Sequence, residues 1–391
     1  MKKYSIKDMT KGWFVGDFLP VAFQTKDCEI AYKEYQKGDS EEKHVHKIAT
    51  ELTLITKGRV MMNGVEYGEG EIILLEPGDA TDFKALTDVA NVVVKVPSVK
   101  GDKYLINEFI TLTHRGLEPS NQDFYPESSY ESFRSHLNRG FGIEFDPCFA
   151  KDCIVVCHDS SLDSITMGEN EKEFQDLTWQ EIKQVRYGSK KARIALLSEV
   201  FDLIRNNNSK INAMHLKGKY QTKEYLDRLI NGLLQYREII SKLIIFDVKP
   251  DAARYIKEKI PEISIAPSVA HTYDIKRYNE CVLGTLISRE DAIRYKQQGL
   301  YDWVWLDEWD LSDEEGNKKF YTKETFDALR QEGYKIALVT PELHRTSPGL
   351  LGGEAHPDSV DREILFSRIK EILELRPDAI CTDYPEEISN L

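Results

Sequence analysis

Strand-like and helix-like runs alternate through the second half of the chain, and this alternation limits its possible folds more than any other feature. From about residue 107, nine short apolar runs are separated by longer stretches with helical periodicity. Some eight such repeats over about 285 residues favour a closed TIM (β/α)8 barrel over an open doubly wound sheet. The strand-like runs are ITLTH, GIEFD, CIVVCHD, INAMHLK, KLIIFDV, ISIAPS, WVWLDE, KIALVTPE and AICTDYP.

The first hundred residues follow a different pattern, in which short apolar runs are separated by Gly, Asp and Asn. Runs such as CEIAYKEY and GEIILLEPGD predict an all-β domain, either a barrel or a sandwich. The Asn63-Gly64 pair within VMMNGVEY favours a tight hairpin turn. We therefore expect a β domain over residues 1–100 and a barrel over residues 107–391, joined by a short polar linker at about 98–106.

Composition and charge restrict the partners of the chain. With 41% hydrophobic and 30% charged residues, and with no apolar run near the roughly 20 residues that span a bilayer, a globular protein without a membrane partner is expected. Six cysteines without a CxxC pair, and no apolar secretory signal, predict a cytoplasmic location. The net charge of −14 argues against nucleic acid but leaves a phosphate-bearing substrate open, because bound cations can reverse the local field.

Histidines and paired carboxylates stand at the ends of predicted barrel strands, where enzymes with this fold carry their chemistry. His114 and His158 suit a general acid and a general base, since the pKa of imidazole lies near neutrality. Glu144 and Asp146 are two residues apart, so on a strand they point to the same face. Such a pair suits a hard divalent cation, Mg²⁺ or Ca²⁺.

Two cations accompany these residues. Arg115 offers the forked donors and Lys217 the point charge that proteins use to bind phosphate. Histidine acid/base groups, a divalent metal and phosphate-binding cations together indicate metal-assisted cleavage of a phosphodiester.

The segments that carry these residues resemble, in order and spacing, the glycerophosphodiester phosphodiesterase family. The resemblance runs from His114 to Pro385, which is most of the second half. The matching segments are THRG at 113–116, PESS at 126–129, GIEFDP at 142–147, VVCHDSSLDSIT at 155–166, LTWQEIK at 177–183 and CTDYPEE at 381–387.

This resemblance implies roles for individual residues. His114 and His158 would be the catalytic acid/base pair, Glu144 and Asp146 metal ligands, and Arg115 a phosphate contact. In the implied reaction a substrate hydroxyl near the phosphorus can attack and give a cyclic phosphate. One histidine takes that proton while the other protonates the leaving oxygen. The expected substrate is a small glycerol- or sugar-linked phosphodiester, from polysaccharide or lipid head-group metabolism.

The third predicted barrel strand departs from the family pattern. Where the family has Glu-x-Lys, with the glutamate completing the metal shell, this chain has His215 followed two residues later by Lys217. His215 can itself bind a metal, and imidazole shifts the preference towards Zn²⁺, Mn²⁺ or Fe²⁺. It can equally mark a site retuned for another substrate, or one that has lost its metal.

A second departure concerns the alcohol part of the substrate. The predicted seventh strand reads ALVTPELHR, which places Glu342, His344 and Arg345 where the family reads the alcohol. Trp309 lies past the end of the strand WVWLDE and is a further candidate contact for a sugar or alcohol. Altered recognition of the alcohol follows from these changes.

Residues 38–58 carry the full first motif of the cupin family, a second resemblance that covers about residues 12–98. His44 and His46 share one face of a predicted strand and Glu51 can return from the next turn, which makes a metal triad. The second motif, at 68–83, is partial and has Thr81 in place of a fourth ligand. The resemblance implies a second metal site, a small barrel that binds a ligand such as a sugar, or a homodimer formed through this domain.

Three hypotheses follow. In the first, the chain is a phosphoric diester hydrolase that uses a divalent metal and two barrel histidines. In the second, the barrel has lost hydrolysis and serves as a binding or regulatory protein, which the change at His215 favours. In the third, the main chemistry lies in the cupin domain, for example sugar-nucleotide isomerisation, with the barrel as its partner.

Overall fold

The chain forms two compact units, Met1–Glu108 and Phe109–Leu391. Each unit contains its own hydrophobic core. Within the described residues, no helix is both long and apolar enough to cross a membrane. The computed structural model describes residues 1–105, 109–187, 192–308, 319–343, 357–359, 361–389 and 391.

The first unit is all-β after two short 3₁₀ turns, Ile6–Asp8 and Thr10–Gly12. Eleven strands within its described residues, 1–105, form two sheets in the orders β2-β1-β3-β10-β5-β8 and β11-β4-β9-β6-β7. The strands are β1 (Trp13–Gly16), β2 (Phe23–Gln24), β3 (Glu29–Tyr35), β4 (Ser40–Val45), β5 (Thr50–Lys57), β6 (Arg59–Met62), β7 (Val65–Gly68), β8 (Ile72–Leu75), β9 (Ala80–Ala85), β10 (Val89–Val96) and β11 (Tyr104–Leu105).

Alternation along these strands explains the core of the first unit. Strand β5 in the first sheet buries Glu51, Thr53 and Ile55 on one face, and β9 in the second sheet alternates in the same way, so each sheet contributes one face to the interior. The Asn63-Gly64 turn predicted from the sequence joins β6 to β7, with positive φ angles of 49° and 76° as a type I′ turn requires. The all-β prediction for this region is confirmed.

The second unit contains a ring of parallel strands and a separate small antiparallel sheet. The parallel sheet has the order β19-β18-β17-β13-β12-β24-β23-β22-β20-β21, and the antiparallel sheet has the order β14-β15-β16. The strands are β12 (Ile110–Thr113), β13 (Gly142–Phe145), β14 (Pro147–Phe149), β15 (Ile154–Val156), β16 (Ala195–Leu196), β17 (Asn212–His215), β18 (Leu243–Phe246), β19 (Ser264–Ile265), β20 (Ser268–Ala270), β21 (Leu286–Ile287), β22 (Trp303–Asp307), β23 (Lys335–Val339) and β24 (Ala379–Thr382).

The parallel sheet closes on itself through one broken strand. Strands β19 and β20 are separated along the chain only by Ala266 and Pro267. The Ala266 N–H donates to the carbonyl of Ile245 on one side (2.9 Å), and the Trp305 N–H donates to the carbonyl of Pro267 on the other (3.0 Å). The described residues therefore form a TIM-barrel-like ring of eight strand positions, with β21 paired to β20 as a side branch.

Helices with one apolar face cover this ring. Helix α4 buries Leu197, Val200, Phe201 and Ile204 on the face that packs into the core, as its i, i+3, i+4, i+7 spacing predicts. The helices are α1 (Tyr130–Asn138), α2 (Asp163–Thr166), α3 (Trp179–Ile182), α4 (Leu197–Arg205), α5 (Lys223–Leu233), α6 (Pro250–Lys259), α7 (Thr272–Tyr278), α8 (Arg289–Lys296), α9 (Lys323–Gln331), α10 (Arg362–Glu374) and α11 (Pro385–Ser389). Short 3₁₀ segments span His114–Gly116, Phe174–Asp176, Gly218–Tyr220, Leu234–Lys242 and Pro357–Ser359.

The run CIVVCHD is a strand but does not belong to the ring. Its residues Ile154–Val156 pair antiparallel with Pro147–Phe149 and then with Ala195–Leu196. The eight residues between Phe145 and Ile154 are too few for the crossover that a parallel neighbour needs. His158 therefore approaches the barrel from a hairpin beside it, rather than from the end of a barrel strand.

Gly142 marks a point where β13 touches its neighbour too closely for any side chain. A Cβ at this position would lie 2.2 Å from the Ile211 carbonyl oxygen and 2.6 Å from a methyl group of Leu112. We expect Gly142→Ala to lower the free energy of unfolding by about 3 kcal/mol, as overpacking of a rigid core does. Urea denaturation followed by circular dichroism measures the effect.

The matched control is Gly232, which lies in α5 with no atom within 4 Å of its would-be Cβ. Gly232→Ala should raise the free energy of unfolding by about 1 kcal/mol through helix propensity. Equal midpoints for the two variants would contradict this account of the β13 contact.

Candidate active site

A cavity of about 400 Å³ opens at the carboxyl-terminal ends of the barrel strands. Residues from each of the eight strand positions contribute to its lining, together with the loop after β15. The charged and polar lining residues are His114, Arg115, Glu144, Asp146, His158, Asp159, Ser160, His215, Lys217, Lys219, Asp247, Ser268 and Asp307.

His114 is held by a buried carboxylate from the neighbouring strand. Strand β12 ends at Thr113, which pairs in register with Thr382 of β24, so the residues that follow them are neighbours. The Nδ1–H of His114 donates to Oδ1 of Asp383 over 2.9 Å, and both side chains are buried. This bond sets the orientation of the ring and leaves Nε2 to act on a bound molecule.

The turn after β12 is tightly supported. Arg115 has a positive φ of 53°, its backbone N–H donates to Oε2 of Glu144 (3.1 Å), and its guanidinium lies 3.6 Å from Glu127. Gly116, with φ at 70°, presses against α1, because a Cβ there would lie 2.6 Å from Oγ of Ser132. The His114–Gly116 turn can therefore take few other conformations.

His136 supports the same turn from α1. Its Nε2–H donates to the Gly116 carbonyl (3.2 Å) and its Nδ1 accepts from Arg139 (2.9 Å). Burial, assisted by the Arg139 charge, lowers the pKa of His136 to about 3. The imidazole is therefore neutral at every pH near neutrality.

Glu144 and Asp146 form a buried carboxylate pair on β13 and directly after it. Burial and the neighbouring Asp146 raise the pKa of Glu144. Burial acts in the same direction on Asp146, but the Lys217 ammonium at 3.3 Å and a hydrogen bond with His215 hold the pKa of Asp146 well below its ordinary value. The two members of the pair thus have different proton affinities.

His215 bridges two carboxylates. Its Nδ1 bonds to Oδ1 of Asp146 (2.9 Å) and its Nε2 to Oδ2 of Asp247 (3.3 Å). Burial opposes protonation of His215, yet its hydrogen bonds to the carboxylates of Asp146 and Asp247 raise its pKa to about 9. Its ring also stacks on Phe246, which in turn stacks on Trp305 at 3.8 Å between ring centroids.

Glu144, Asp146 and His215 are a candidate metal-binding set, with ligand atoms within 4.8 Å of one another. Oδ2 of Asp146 is buried and makes no hydrogen bond with any residue that the structure describes. A buried carboxylate oxygen without a donor is costly in free energy unless a cation faces it. This set therefore fits a divalent ion.

His158 enters the cavity from the loop after β15 and is partly buried. Its Nδ1 bonds to Oδ1 of Asp159 (2.9 Å), and its backbone carbonyl accepts from Nζ of Lys217. Burial lowers the pKa of His158, although the Asp159 carboxylate opposes the change. His158 thus has an orienting carboxylate, as His114 does, but a different chain segment supplies it.

Glu342 lies beneath the site rather than in the cavity lining. Its Oε1 accepts hydrogen bonds from the hydroxyls of Thr340 (2.6 Å) and Thr382 (2.5 Å) and from the Asp383 N–H (3.2 Å). Burial and the nearby Asp383 carboxylate raise the pKa of Glu342 to about 7. Glu342 thus holds the segment that carries the partner of His114. The other predicted alcohol contacts, Trp309, His344 and Arg345, lie outside the described residues.

The first unit contains a second candidate metal-binding set, His44, His46 and Glu51, all buried. The Nδ1 atoms of His44 and His46 face the backbone carbonyls of Glu42 and Asp102. Since a carbonyl only accepts, each Nδ1 carries a proton and each Nε2 is the available ligand atom. Nε2 of His46 lies 3.1 Å from Oε2 of Glu51, so these two candidate ligand atoms face each other.

Thr81 stands directly across from His44 in the β4–β9 pairing. Its hydroxyl donates to the Asp82 carbonyl (2.9 Å), and the Asp82 carboxylate accepts from the Asn63 N–H on the outer side. Asp82 is not one of the three candidate ligands.

Sequence reasoning assigned no role to three parts of the site. Asp383 and Asp247 close the runs AICTDYP and KLIIFDV, so their place at strand ends was a usable signal. The apolar tip Cys281–Leu283 also lines the cavity, and nothing in its sequence pattern pointed there. Its position depends on packing between distant segments.

The comparisons with known proteins concern the second unit. A family model described as "Glycerophosphoryl diester phosphodiesterase family" matches residues 114–387. No curated protein sequence matches the chain significantly.

Several solved structures share the fold at low sequence identity. A proposed glycerophosphodiester phosphodiesterase from Galdieria sulphuraria is 19% identical, with 72% of this chain and 96% of that one covered and a TM-score of 0.52. A proposed glycerophosphoryl diester phosphodiesterase from Agrobacterium tumefaciens C58 is 15% identical over 72% and 96%, with a TM-score of 0.50. A third, from Silicibacter pomeroyi DSS-3, is 16% identical over 72% and 92%, also at 0.50.

The buried His136 should make stability depend on pH. Its pKa in the folded state, about 3, lies below the ordinary value of 6.5, so the unfolded chain takes up the proton first as pH falls. Stability is therefore lost progressively from pH 6.5 down towards pH 3. When the pH is lowered from 7 to 5, the free energy of unfolding should fall in both proteins. We expect the fall to be about 2 kcal/mol smaller in His136→Gln than in the unsubstituted chain.

Glutamine is the matched replacement because its side-chain amide can still donate to the Gly116 carbonyl. Urea unfolding at several pH values gives the slope of the free energy of unfolding against pH for each protein. Parallel slopes would show that His136 does not titrate in this way.

Proposed function

The chain belongs to the glycerophosphoryl diester phosphodiesterase family, and from that premise we propose that its barrel, over residues 107–391, hydrolyses a small phosphodiester. One observation carries the proposal. Two histidines, each oriented by its own carboxylate, line the same cavity as a buried carboxylate pair and three cationic side chains. A cavity that only bound a ligand would have no need of two histidines held in this way.

The phosphate is assigned to the cationic part of the cavity. Arg115 is buried, and its guanidinium supplies a fork of donors to two phosphate oxygens. Lys217 and Lys219 also line the cavity, and Lys217 is held between Asp146 and the His158 carbonyl. These three cations lie among several carboxylates of the same lining, and they are the groups that can face the phosphate oxygens.

His158 is assigned as the general base and His114 as the general acid. Because burial lowers the pKa of His158, its imidazole is neutral and can take the proton of the attacking hydroxyl, from the substrate itself or from water. The attacking oxygen forms a new bond to phosphorus as the bond to the leaving oxygen breaks. His114 gives a proton from Nε2 to the leaving oxygen, while its hydrogen bond to the Asp383 carboxylate holds the ring in position.

A divalent metal is assigned to Glu144, Asp146 and His215. When bound, it would neutralise phosphate charge and polarise the phosphorus–oxygen bonds. His215 can ligate only by giving up one of its two carboxylate partners, so Asp146 or Asp247 would be freed in the process. The carboxylates suit Mg²⁺ or Ca²⁺, while the imidazole widens the choice to Mn²⁺ or Zn²⁺.

A binding or regulatory role is the second candidate, and one observation favours it. His215, with its pKa raised to about 9, and Lys217 already neutralise Asp146 and Asp247. In that case the protonated imidazole replaces the metal charge, and the cavity holds a phosphodiester without cleaving it.

For the first unit we propose a cupin-like barrel over residues 1–100. The two-sheet architecture and the buried set of His44, His46 and Glu51 support this assignment and a second metal site. Such a domain would bind part of the substrate, hold a homodimer or carry a sugar-modifying activity of its own.

Turnover distinguishes these functions. With Mg²⁺, Ca²⁺, Mn²⁺ or Zn²⁺ added to metal-stripped protein, we expect release of phosphomonoester from glycerophosphocholine or bis(p-nitrophenyl) phosphate. His158→Ala should lower the rate at least about 100-fold, the usual size of an acid/base contribution. Turnover that survives this change but is lost in His44→Ala would assign the chemistry to the first unit. Tight phosphodiester binding without turnover would favour the binding role.

Metal stoichiometry tests the two ligand sets separately. Isothermal titration with Mn²⁺ or Zn²⁺ should give two sites in the unsubstituted chain and one in each of Glu144→Gln and Glu51→Gln. The two variants are matched controls, because each removes one carboxylate charge and keeps the shape of the side chain. Unchanged stoichiometry in Glu144→Gln would exclude the barrel set as a metal site. Without metal, Glu144→Gln should not lower the thermal midpoint, since it removes repulsion from Asp146.

A further inference from the structure

The cavity of the candidate active site has an apolar part that the phosphodiester chemistry does not use. Cys281, Val282 and Leu283 form the tip of the connection between α7 and β21, and all three line the cavity with Leu286. Cys281 is exposed, and Leu283 is 53% exposed. Cys281 and Leu283 therefore present apolar surface to the cavity and to solvent, while Val282 packs partly against a small core cluster that includes Leu286.

The tip is seated directly beside the proposed phosphate-binding residues. Gly218 follows Lys217, and a Cβ on Gly218 would lie 2.5 Å from the Val282 carbonyl oxygen and 3.1 Å from Cβ of Leu283. Only glycine permits this approach of the two backbones. The apolar tip thus packs against the backbone between Lys217 and Lys219.

Leu283 also has an unfavourable backbone conformation. Its φ is +60°, a region that residues with a Cβ adopt rarely, and leucine has no side-chain polar group to compensate. The turn is held by hydrogen bonds from the Leu283 N–H to the Glu280 carbonyl (3.1 Å) and from the Gly284 N–H to the Asn279 carbonyl (2.7 Å). For stability alone, glycine or asparagine would suit this position better. Because Leu283 also lines the cavity, its exposed side chain can contact a bound ligand.

We propose that the site takes an amphiphilic phosphodiester, in which one esterified alcohol carries an apolar chain that packs against Cys281, Val282 and Leu283. This inference rests on the proposed function and names its substrate class. The cationic residues next to Gly218 hold the phosphate, and the other alcohol, a glycerol or sugar, faces the polar lining. A cavity of about 400 Å³ is within the range of roughly 300–1,000 Å³ typical of sites for organic ligands.

The experiment uses methyl, butyl and octyl esters of glycerol 3-phosphate, below their aggregation concentrations and with the full chain. The phosphomonoester product is counted as inorganic phosphate after phosphatase treatment. In the unsubstituted protein, kcat/KM should rise roughly threefold for each methylene from methyl to butyl, as expected when the alkyl group of the substrate is partly buried. In Leu283→Asn, which keeps a residue that tolerates positive φ, the butyl-to-methyl ratio should fall at least about fivefold.

Met167 provides the matched control. It is also an apolar residue at positive φ (57°) and is 80% exposed, but it does not line this cavity. Met167→Asn should keep the butyl-to-methyl ratio of the unsubstituted chain. Leu283→Gly is a second variant, which removes the side chain and makes the positive φ favourable. A thermal midpoint no lower than that of the unsubstituted chain would show that the variant is folded.

The outcomes separate the two proposals. Turnover of all esters without dependence on chain length would overturn the inference and leave the phosphodiesterase function intact. A steep dependence on alkyl length that both Leu283 variants retain would mean that the alkyl chain binds elsewhere, and it would also overturn the inference. No turnover of any ester would overturn the proposed function, and the inference with it. A ratio that falls in both Leu283 variants but not in Met167→Asn supports the inference.

Discussion

Carboxylates buried at the ends of parallel strands need partners, and the candidate active site is organised by how each one is satisfied. An unpaired buried carboxylate costs several kcal/mol, so every such group demands a donor, a cation or a proton. Asp383 accepts a hydrogen bond from His114, and Asp146 forms ion pairs with Lys217 and His215. Glu342 accepts three hydrogen bonds. Glu144 accepts the Arg115 N–H, yet burial and the neighbouring Asp146 carboxylate raise its pKa.

This constraint links the site to the ring of strands. His114 and Asp383 are 269 residues apart in sequence, yet the pairing of β12 with β24 in register makes them neighbours. His215 meets Asp247 in the same way, through the pairing of β17 with β18. The hydrogen-bond ladder that closes the sheet thus also sets the distances between groups that titrate, bind cations or transfer protons.

Features that depend on a single segment could be predicted from the sequence. Glu144 and Asp146 could be read from a two-residue spacing on a strand, and Asn63-Gly64 from turn chemistry, because both are local. His158 was predicted as a site residue, but its hairpin was not, since three apolar residues do not say which strand they will pair with. Glu342 was expected to face an alcohol, and it lies instead beneath Asp383, because side-chain direction after a strand depends on packing.

The sequence by itself determined the two-part division into an all-β region and a β/α region, and which residue types stand at strand ends. Periodicity and motif spacing are local properties of the sequence, so they can be recognised without knowledge of the fold. Only the tertiary structure decided which carboxylate serves which histidine, that His215 bridges Asp146 and Asp247, and that the tip at Leu283 rests on Gly218. Those facts depend on contacts between segments far apart in the chain, and strand register and loop packing set them.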